Sequence, residues 1–465
     1  MNVLLVSPSQ VQVYGNFARP DYPPLGLAYL GAVLEKAGHD VGIIDVDAER
    51  LTDEGFAKKI TQGNYGLVGI TATTPTFSKA LVLAELVKKN SDSFTVLGGI
   101  HATTMPDESI ENESIDFIVK GEGELTLLEL VRRLQHREDL AGVDGIYYKK
   151  AGRIYKNKDR DLIADLDTLP FPARHLFSKH HYSYPDALFK EAFPIMTSRG
   201  CPANCSYCDA RKIFSRKFRV RSAKNVVDEI EHLAKKYGAR EIHIWDDNFT
   251  TQKNRVFQIR DEIKKRKLNI KFAFPNGIRA DYVDKEVLRA LGDMGAYSIA
   301  FGVESGNQGV LDHINKNTTL AKIETAFRCA KEAGLETWGF FMIGLPSETK
   351  DTINDTISFA ISLNPDVAKF HILKPFPGTD AYGELSRQGL IIDNNLDHYG
   401  IHTPPVHRLP GLSPDDLLNL QKEAYKRFYL RPHIFLKQIF RLKSLYRLRL
   451  NVSAAVGILK KIFSR

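Results

Sequence analysis

Short apolar runs rich in β-branched residues recur along the first 140 residues: Val3–Val6, Val41–Val46, Leu67–Thr71, Thr95–Leu97 and Phe117–Val119. Between them apolar positions return at helical spacing, as in Leu25–Ala37 and Phe77–Lys89. Five alternating β-α units of this length predict an α/β domain over residues 1–140, with a parallel, doubly wound sheet covered on both faces. Ligands of such sheets sit at the carboxyl ends of the strands. The loops there are Ser7–Pro24, Thr71–Pro75, Gly98–Thr104 and Gly121–Glu124.

The pattern breaks over residues 141–190, where Gly152, Pro170, Pro172 and Pro185 interrupt any regular period, and this stretch reads as a connector. Alternation resumes over residues 191–385. Strand-like runs are Pro194–Thr197, Glu241–Trp245, Lys271–Phe274, Ser298–Val303, Thr337–Ile343 and Val367–Leu373, separated by helical runs such as Ala223–Tyr237 and Lys322–Ala333. Gly334 suits the position that closes the second of these helices. Six repeats predict a partial (β/α)6 barrel with its site at the C-terminal ends of the strands. Residues 386–465 read as helical, with Ser413-Pro414 a suitable N-cap and first-turn pair.

A chain of 465 residues is long enough for two or three domains. With 43% hydrophobic and 26% charged residues it has the composition of a globular protein, and no run reaches the roughly 20 apolar residues of a membrane span. The opening Met-Asn-Val-Leu-Leu-Val-Ser-Pro reads as a first strand, not a signal peptide. The net charge of +8 is local. Nine Lys or Arg and no acid lie between Arg431 and Arg465; without them 55 basic and 56 acidic side chains remain. The excess therefore gives no ground to expect nucleic acid as a partner.

Three of the four cysteines, Cys201, Cys205 and Cys208, fall within eight residues. They are too close for a spread disulfide framework, so they point to a reducing, cytoplasmic setting and a metal site. Cys329 stands alone in a helical pattern and reads as a small buried hydrophobe. Three thiolates on a short loop suit an iron–sulfur cluster and leave one iron open for a ligand. A zinc knuckle would need a fourth ligand, and the next His is His232, inside a helical pattern. Cys-x3-Cys-x2-Cys with Tyr207 before the last cysteine resembles the signature of the radical S-adenosylmethionine (SAM) superfamily. The resemblance implies a [4Fe-4S] cluster whose open iron chelates SAM. One electron then cleaves SAM to methionine and a 5′-deoxyadenosyl radical.

More of the segment is similar to the cobalamin-binding branch of that superfamily: Ile244–Phe249, Asn276–Asp281, Phe301–Gly306, Ile343–Glu348 and Pro375–Thr379 resemble its strand ends. The resemblance implies Tyr207, Asp246, Arg279, Glu304, Ser305 and Gly344 as SAM contacts. Simple turn residues and an Arg279–Glu304 ion pair are the alternatives. In the N-terminal domain the Gly-x-Gly-x-x-Gly dinucleotide fingerprint is absent after the first strand, which weighs against NAD or FAD in this Rossmann-like fold. Glycines and hydroxyls at the strand ends instead suit a large flat ligand. They resemble the cobalamin-binding domain fused to many radical SAM enzymes, which implies Thr71, Thr73, Gly98, Gly99, His101, Gly121, Glu122 and Gly123 as cobalamin contacts. The Asp-x-His-x-x-Gly pattern that supplies an axial histidine is missing.

These resemblances imply a cobalamin-dependent radical SAM enzyme, methylating an unactivated carbon of a small-molecule substrate and fed by a low-potential donor such as flavodoxin or ferredoxin. The alternatives are a cyclase of the same architecture without methyl transfer, and a non-catalytic cobalamin or iron–sulfur sensor. Nothing in the pattern names a catalytic acid or base. Phe435, Ile439, Leu442 and Tyr446 form one helical stripe beside Lys437 and Arg441. Such a basic helix over residues 431–465 suits an anionic membrane surface, with a lipophilic substrate, or packs on the barrel with its charges in solvent.

Overall fold

A computed structural model describes residues 1–14, 22–177, 179–180, 182–184, 186–432, 434 and 456. It divides into two compact units, Met1–Tyr182 with Lys212–Ser215 and Asn394–Thr403, and Ser183–Arg211 with Arg216–Asp393 and Pro404–Arg465.

The first unit holds a seven-stranded sheet. Its strands are β1 (Asn2–Ser7), β2 (Asp40–Asp45), β3 (Leu67–Thr71), β4 (Phe94–Gly98), β5 (Phe117–Val119), β6 (Ile146–Lys150) and β7 (Arg153–Lys156), in the order β2-β1-β3-β4-β5-β6-β7. The first five are parallel. Strand alternation sends Val3, Leu5, Val41 and Ile43 to one face, under the helices Leu25–Lys36 and Gly123–His136. Leu4, Val6, Val68 and Ile70 go to the other, under Asp53–Gly63 and Phe77–Asn90. Within residues 141–190, where the hydrophobic pattern predicts no regular element, β6 and β7 add antiparallel to the edge. Ala151 and Gly152, both left-handed (φ 51° and 72°), make the two-residue hairpin turn between them. Gly152 marks a turn inside a sheet, not the end of one.

The second unit is built on β8 (Ala192–Ile195), a short ribbon of β9 (Ser198–Arg199) with β10 (Arg219–Val220), and then β11 (Glu241–Ile244), β12 (Lys271–Arg279), β13 (Ala296–Glu304), β14 (Glu336–Ile343) and β15 (Val367–Ile372). The six long strands are all parallel in the order β8-β11-β12-β13-β14-β15, an open (β/α) barrel wall. Phe272, Ile299, Phe301, Phe341 and Phe370 face the surrounding helices in one continuous core. Alternation therefore turns Gly302, Phe340 and Lys369 toward the lumen, where the pairings Gly302–Phe340 and Phe340–Lys369 put them side by side. Register shifts in β12 after Phe274 and in β13 after Gly302 re-aim both strand ends.

The helix Pro414–Tyr429 starts as its sequence dictates: Ser413 caps Asp416 N–H, and Asp416 returns the bond to Ser413. Cys329 is half-buried against the barrel core. No helix among the described residues is long and apolar enough to cross a membrane. The basic stripe of Phe435, Ile439, Leu442 and Tyr446 lies outside the described residues.

Candidate active site

The loop after β8 carries the three cysteines, and three ties hold it. Gly200, left-handed at φ 88°, donates its N–H to Asp247 at 2.9 Å. Ser206 donates its N–H to Ile314 carbonyl at 2.9 Å and accepts one from Ala381 at 3.0 Å. Asp246 accepts the Thr197 N–H at 2.6 Å and both the Thr197 and Ser198 hydroxyls at 2.5 Å. A buried carboxylate needs such donors, and these join the end of β11 to the cysteine loop.

All three cysteines line one cavity of about 320 Å³ at the C-terminal ends of the strands. Burial pushes the Cys208 thiol up to about 12 and raises that of Cys201. Without a metal these sulfurs stay protonated; a bound cation reverses that balance. Among the described residues no three His, Cys, Asp or Glu are grouped around a single-ion position. A donor set of three thiols spread around a cavity suits a larger, multi-iron group.

Beside apolar lining such as Ile278 and Phe340, the cavity holds several charged groups. Arg279, at the re-aimed end of β12, reaches Cys205 Sγ at 3.5 Å, Asp281 at 2.9 Å and the Lys316 carbonyl. Burial opposes its charge, but Asp281 outweighs burial and raises its pKa. Glu304 ends β13 in a left-handed conformation, φ 66°, which costs a non-glycine residue about 1–2 kcal/mol. Its carboxylate accepts from Lys316 Nζ at 2.8 Å, and Lys316 also donates to the Tyr207 hydroxyl at 3.3 Å. Burial lowers the Lys316 pKa, but Glu304 reverses the shift and the net direction is up. Burial raises the Tyr207 pKa, and Glu304 adds to that. A Cβ on Gly302 would lie 2.6 Å from Glu304 Oε1 and 3.1 Å from Lys316 Nζ, so any larger residue would make the ends of this pair move.

Of the six residues that the sequence pattern assigns to SAM, Tyr207, Arg279 and Glu304 line this cavity. The structure does not bring Asp246, Ser305 or Gly344 to it. Asp246 is occupied by Thr197 and Ser198. Ser305 Oγ bonds Thr356 Oγ1 at 3.1 Å. Gly344, φ 86°, gives its N–H to Glu348 at 2.7 Å and its carbonyl to His407 at 2.8 Å. The charged cavity residues Arg211, Asp247 and Lys316 are not assigned by the sequence pattern. Asp247, exposed beside Asp246, lines the cavity and accepts the Gly200 N–H. Lys316, in Asn-Lys-Asn, reads in the sequence as a solvated loop charge.

In the first unit, the strand-end loops hold the residues assigned to cobalamin. Thr73, Gly98, Gly99 and Gly121 are exposed or half-exposed. Gly99 is left-handed, φ 94°, and a Cβ there would lie 2.6 Å from the Ala72 carbonyl and 2.8 Å from Thr71 Oγ1. Gly121 takes φ 69° with nothing near its absent side chain. Three others serve the fold as built. Glu122 accepts the Ile163 N–H at 2.8 Å, Gly123 lies against Leu30, and His101 is fully buried. The His101 ring lies 4.1 Å from Phe77, and its Nδ1 is 3.3 Å from Thr74 Oγ1. Burial brings its pKa down to about 4 and leaves Nε2 without a partner.

Residues 195–360 match the Radical SAM superfamily, and residues 11–131 match the B12 binding domain. An uncharacterized methyltransferase of Pyrococcus horikoshii is 36% identical, over 95% of both chains. The anaerobic magnesium-protoporphyrin IX monomethyl ester cyclase of Rubrivivax gelatinosus is 31% identical, over 92% of this chain and 78% of that one. The radical SAM methyltransferase TsrM of Kitasatospora setae, solved with cobalamin and a [4Fe-4S] cluster, superposes with a TM-score of 0.71 at 21% identity, over 83% of this chain and 78% of that chain. The chain belongs to the radical SAM enzymes that carry a B12-binding domain, whose cofactors are a [4Fe-4S] cluster, SAM and cobalamin.

Proposed function

We propose that this chain is a cobalamin-dependent radical SAM C-methyltransferase whose cluster is held by Cys201, Cys205 and Cys208. The observation that carries the reading is the convergence of three thiols, Arg279 and the Glu304–Lys316–Tyr207 chain on one cavity. When bound, the cluster supplies the electron that cleaves SAM and cobalamin carries a methyl group. Arg279 puts a permanent positive charge beside Cys205, which stabilises a sulfur-rich anionic group. The Glu304–Lys316 pair offers a carboxylate and an ammonium to the complementary ends of an amino acid. Tyr207, tied to Lys316, can close over a flat ring. In the first unit the exposed loops at Thr73, Gly98, Gly99 and Gly121 would carry cobalamin, while buried His101 would not reach cobalt.

Two SAM molecules are consumed per methyl transferred. One leaves as S-adenosylhomocysteine. The other leaves as methionine and 5′-deoxyadenosine, the latter carrying the hydrogen atom that its 5′ radical took from the substrate carbon. Electrons come from a low-potential donor such as flavodoxin or ferredoxin. Anaerobic reconstitution with SAM, reductant and cobalamin tests the reading: both nucleoside products indicate methylation, and neither product sinks it. Deoxyadenosine alone favours the second reading, a cyclase-type reaction, which the 31% identity to the Rubrivivax enzyme supports.

The reading includes a cytoplasmic enzyme with residues 431–465 resting on an anionic membrane and a lipophilic substrate. Each basic residue near such a surface contributes on the order of 1 kcal/mol. Co-sedimentation with anionic liposomes at low salt, lost when the chain ends at Leu430, supports this part. Equal sedimentation of both chains removes it.

A further inference from the structure

Lys369 lies in the barrel lumen, in the same layer as Gly302 and Phe340, both of which line the cavity of the cysteines. Its ammonium stands 4.8 Å from the centre of the Trp338 ring and 5.4 Å from that of Phe340. Aromatic faces attract a cation but accept no ordinary hydrogen bond. Among the described residues Lys369 makes no hydrogen bond and no ion pair, though an ammonium carries three donors. The side chain is half-buried, so lumen water satisfies those donors until a ligand takes its place. Burial pulls its pKa below the ordinary lysine value, and Asp186 only partly offsets this. In the cavity of the cysteines, by contrast, Lys316 is paired with Glu304 at 2.8 Å and Arg279 with Asp281 at 2.9 Å.

We infer that Lys369 is a specificity residue that binds an oxyanion of the substrate, a carboxylate or a phosphate-like group, at the lumen side of Phe340. The two rings hold the ammonium in place. An incoming oxyanion supplies the acceptor they cannot, and a charge-assisted bond is about twice as strong as a neutral one. The far end of the substrate then points past Phe340 into the cavity where the thiols lie. A substrate without an anionic group would displace that water and return no matching acceptor, so acids are preferred to their esters or amides. This substrate class rests on the catalytic reading above.

The test uses the full-length holoenzyme under anaerobic conditions. Lysines are labelled with an acetylating ester in potassium chloride, then in inorganic phosphate or acetate at equal ionic strength, and read by peptide mass spectrometry. Phosphate or acetate should slow labelling of Lys369 at least threefold relative to chloride, leaving exposed Lys271 unchanged. Phosphate alone acting points to a phosphate-like substrate group, acetate to a carboxylate. A rise in Tm with the effective anion should vanish in Lys369→Met and persist in Lys369→Arg. No protection by either anion overturns the inference. So does equal protection by SAM alone, which makes the anion the cosubstrate's own carboxylate. Reductive SAM cleavage by the same preparation is assayed separately: its failure sinks the catalytic reading, and the labelling result stands by itself.

Discussion

The strand-end loops of the first sheet and the cavity of the barrel are built from different materials. In the barrel cavity, thiols and charges converge, and two of its buried cations have named partners: Lys316 on Glu304, Arg279 on Asp281. In the first sheet, glycines and threonines line the strand ends, and much of their chemistry is spent on the protein itself, as at Gly99 against Ala72 or Glu122 on Ile163. Buried charge is costly, so its presence in a cavity is informative. A glycine or hydroxyl in a loop costs little and means less.

The largest expected effect tests the barrel side. Cys201→Ala, Cys205→Ala or Cys208→Ala should each abolish 5′-deoxyadenosine formation, while Cys329→Ala retains it. Cleavage surviving in any one of the three would dissolve the convergence on which the contrast rests.

Next comes the buried pair. Lys316→Met leaves the Glu304 carboxylate at 8% exposure without its cation. Losing one partner of such a pair costs about 3–5 kcal/mol. Urea unfolding should show it, and Glu304→Gln with Lys316→Met should recover part of the loss. An additive double variant would mean the two side chains are independent.

A third test asks whether a barrel glycine loop carries hidden charge. Burial pushes Glu348, under Gly344, up to about 8, against the two N–H groups it accepts. Its folded pKa lies above the usual 4.5, so folding favours the protonated form. The stability this gives is full below about 4.5 and is lost as pH rises to about 8. His407, across Gly344, is depressed to about 4, so its own contribution is lost only as pH falls from 6.5 toward 4. Between pH 6.5 and 8, wild type should lose stability faster than Glu348→Gln. Parallel curves would show that the carboxylate is ionised throughout.

The smallest effect belongs to the first sheet. His101→Ala should leave the cobalt(II) paramagnetic spectrum of bound cobalamin unchanged, with no nitrogen coupling in either protein. A coupling present in wild type and lost in the variant would bring the imidazole out to cobalt and narrow the contrast between the two regions.

The barrel was legible in the sequence because its strands alternate against long helical runs and its cysteines are sparse and clustered. The hairpin at Ala151-Gly152 was not, since a glycine between Tyr- and Lys-rich segments reads as a breaker until its partner strand is known. Asp246 and Asp247 show a second limit. Neighbours at a strand end point to opposite sides, and a shift of one residue exchanges which one faces the cavity. Lys316 shows a third: nothing local distinguishes a loop lysine that will meet Glu304 from one that will meet water.

The backbone bonds of Ser206 to Ile314 and Ala381 bear on timing. The cysteines leave the ribosome about 175 residues before Ala381 does, a delay of about 10–35 s at usual synthesis rates. During that interval the thiols hang on a loop with no fixed shape, exposed to stray metals and to oxidation. Cell machinery that delivers iron and sulfide would meet a finished receptacle only after the sixth barrel strand has been made and the chain beyond it has docked.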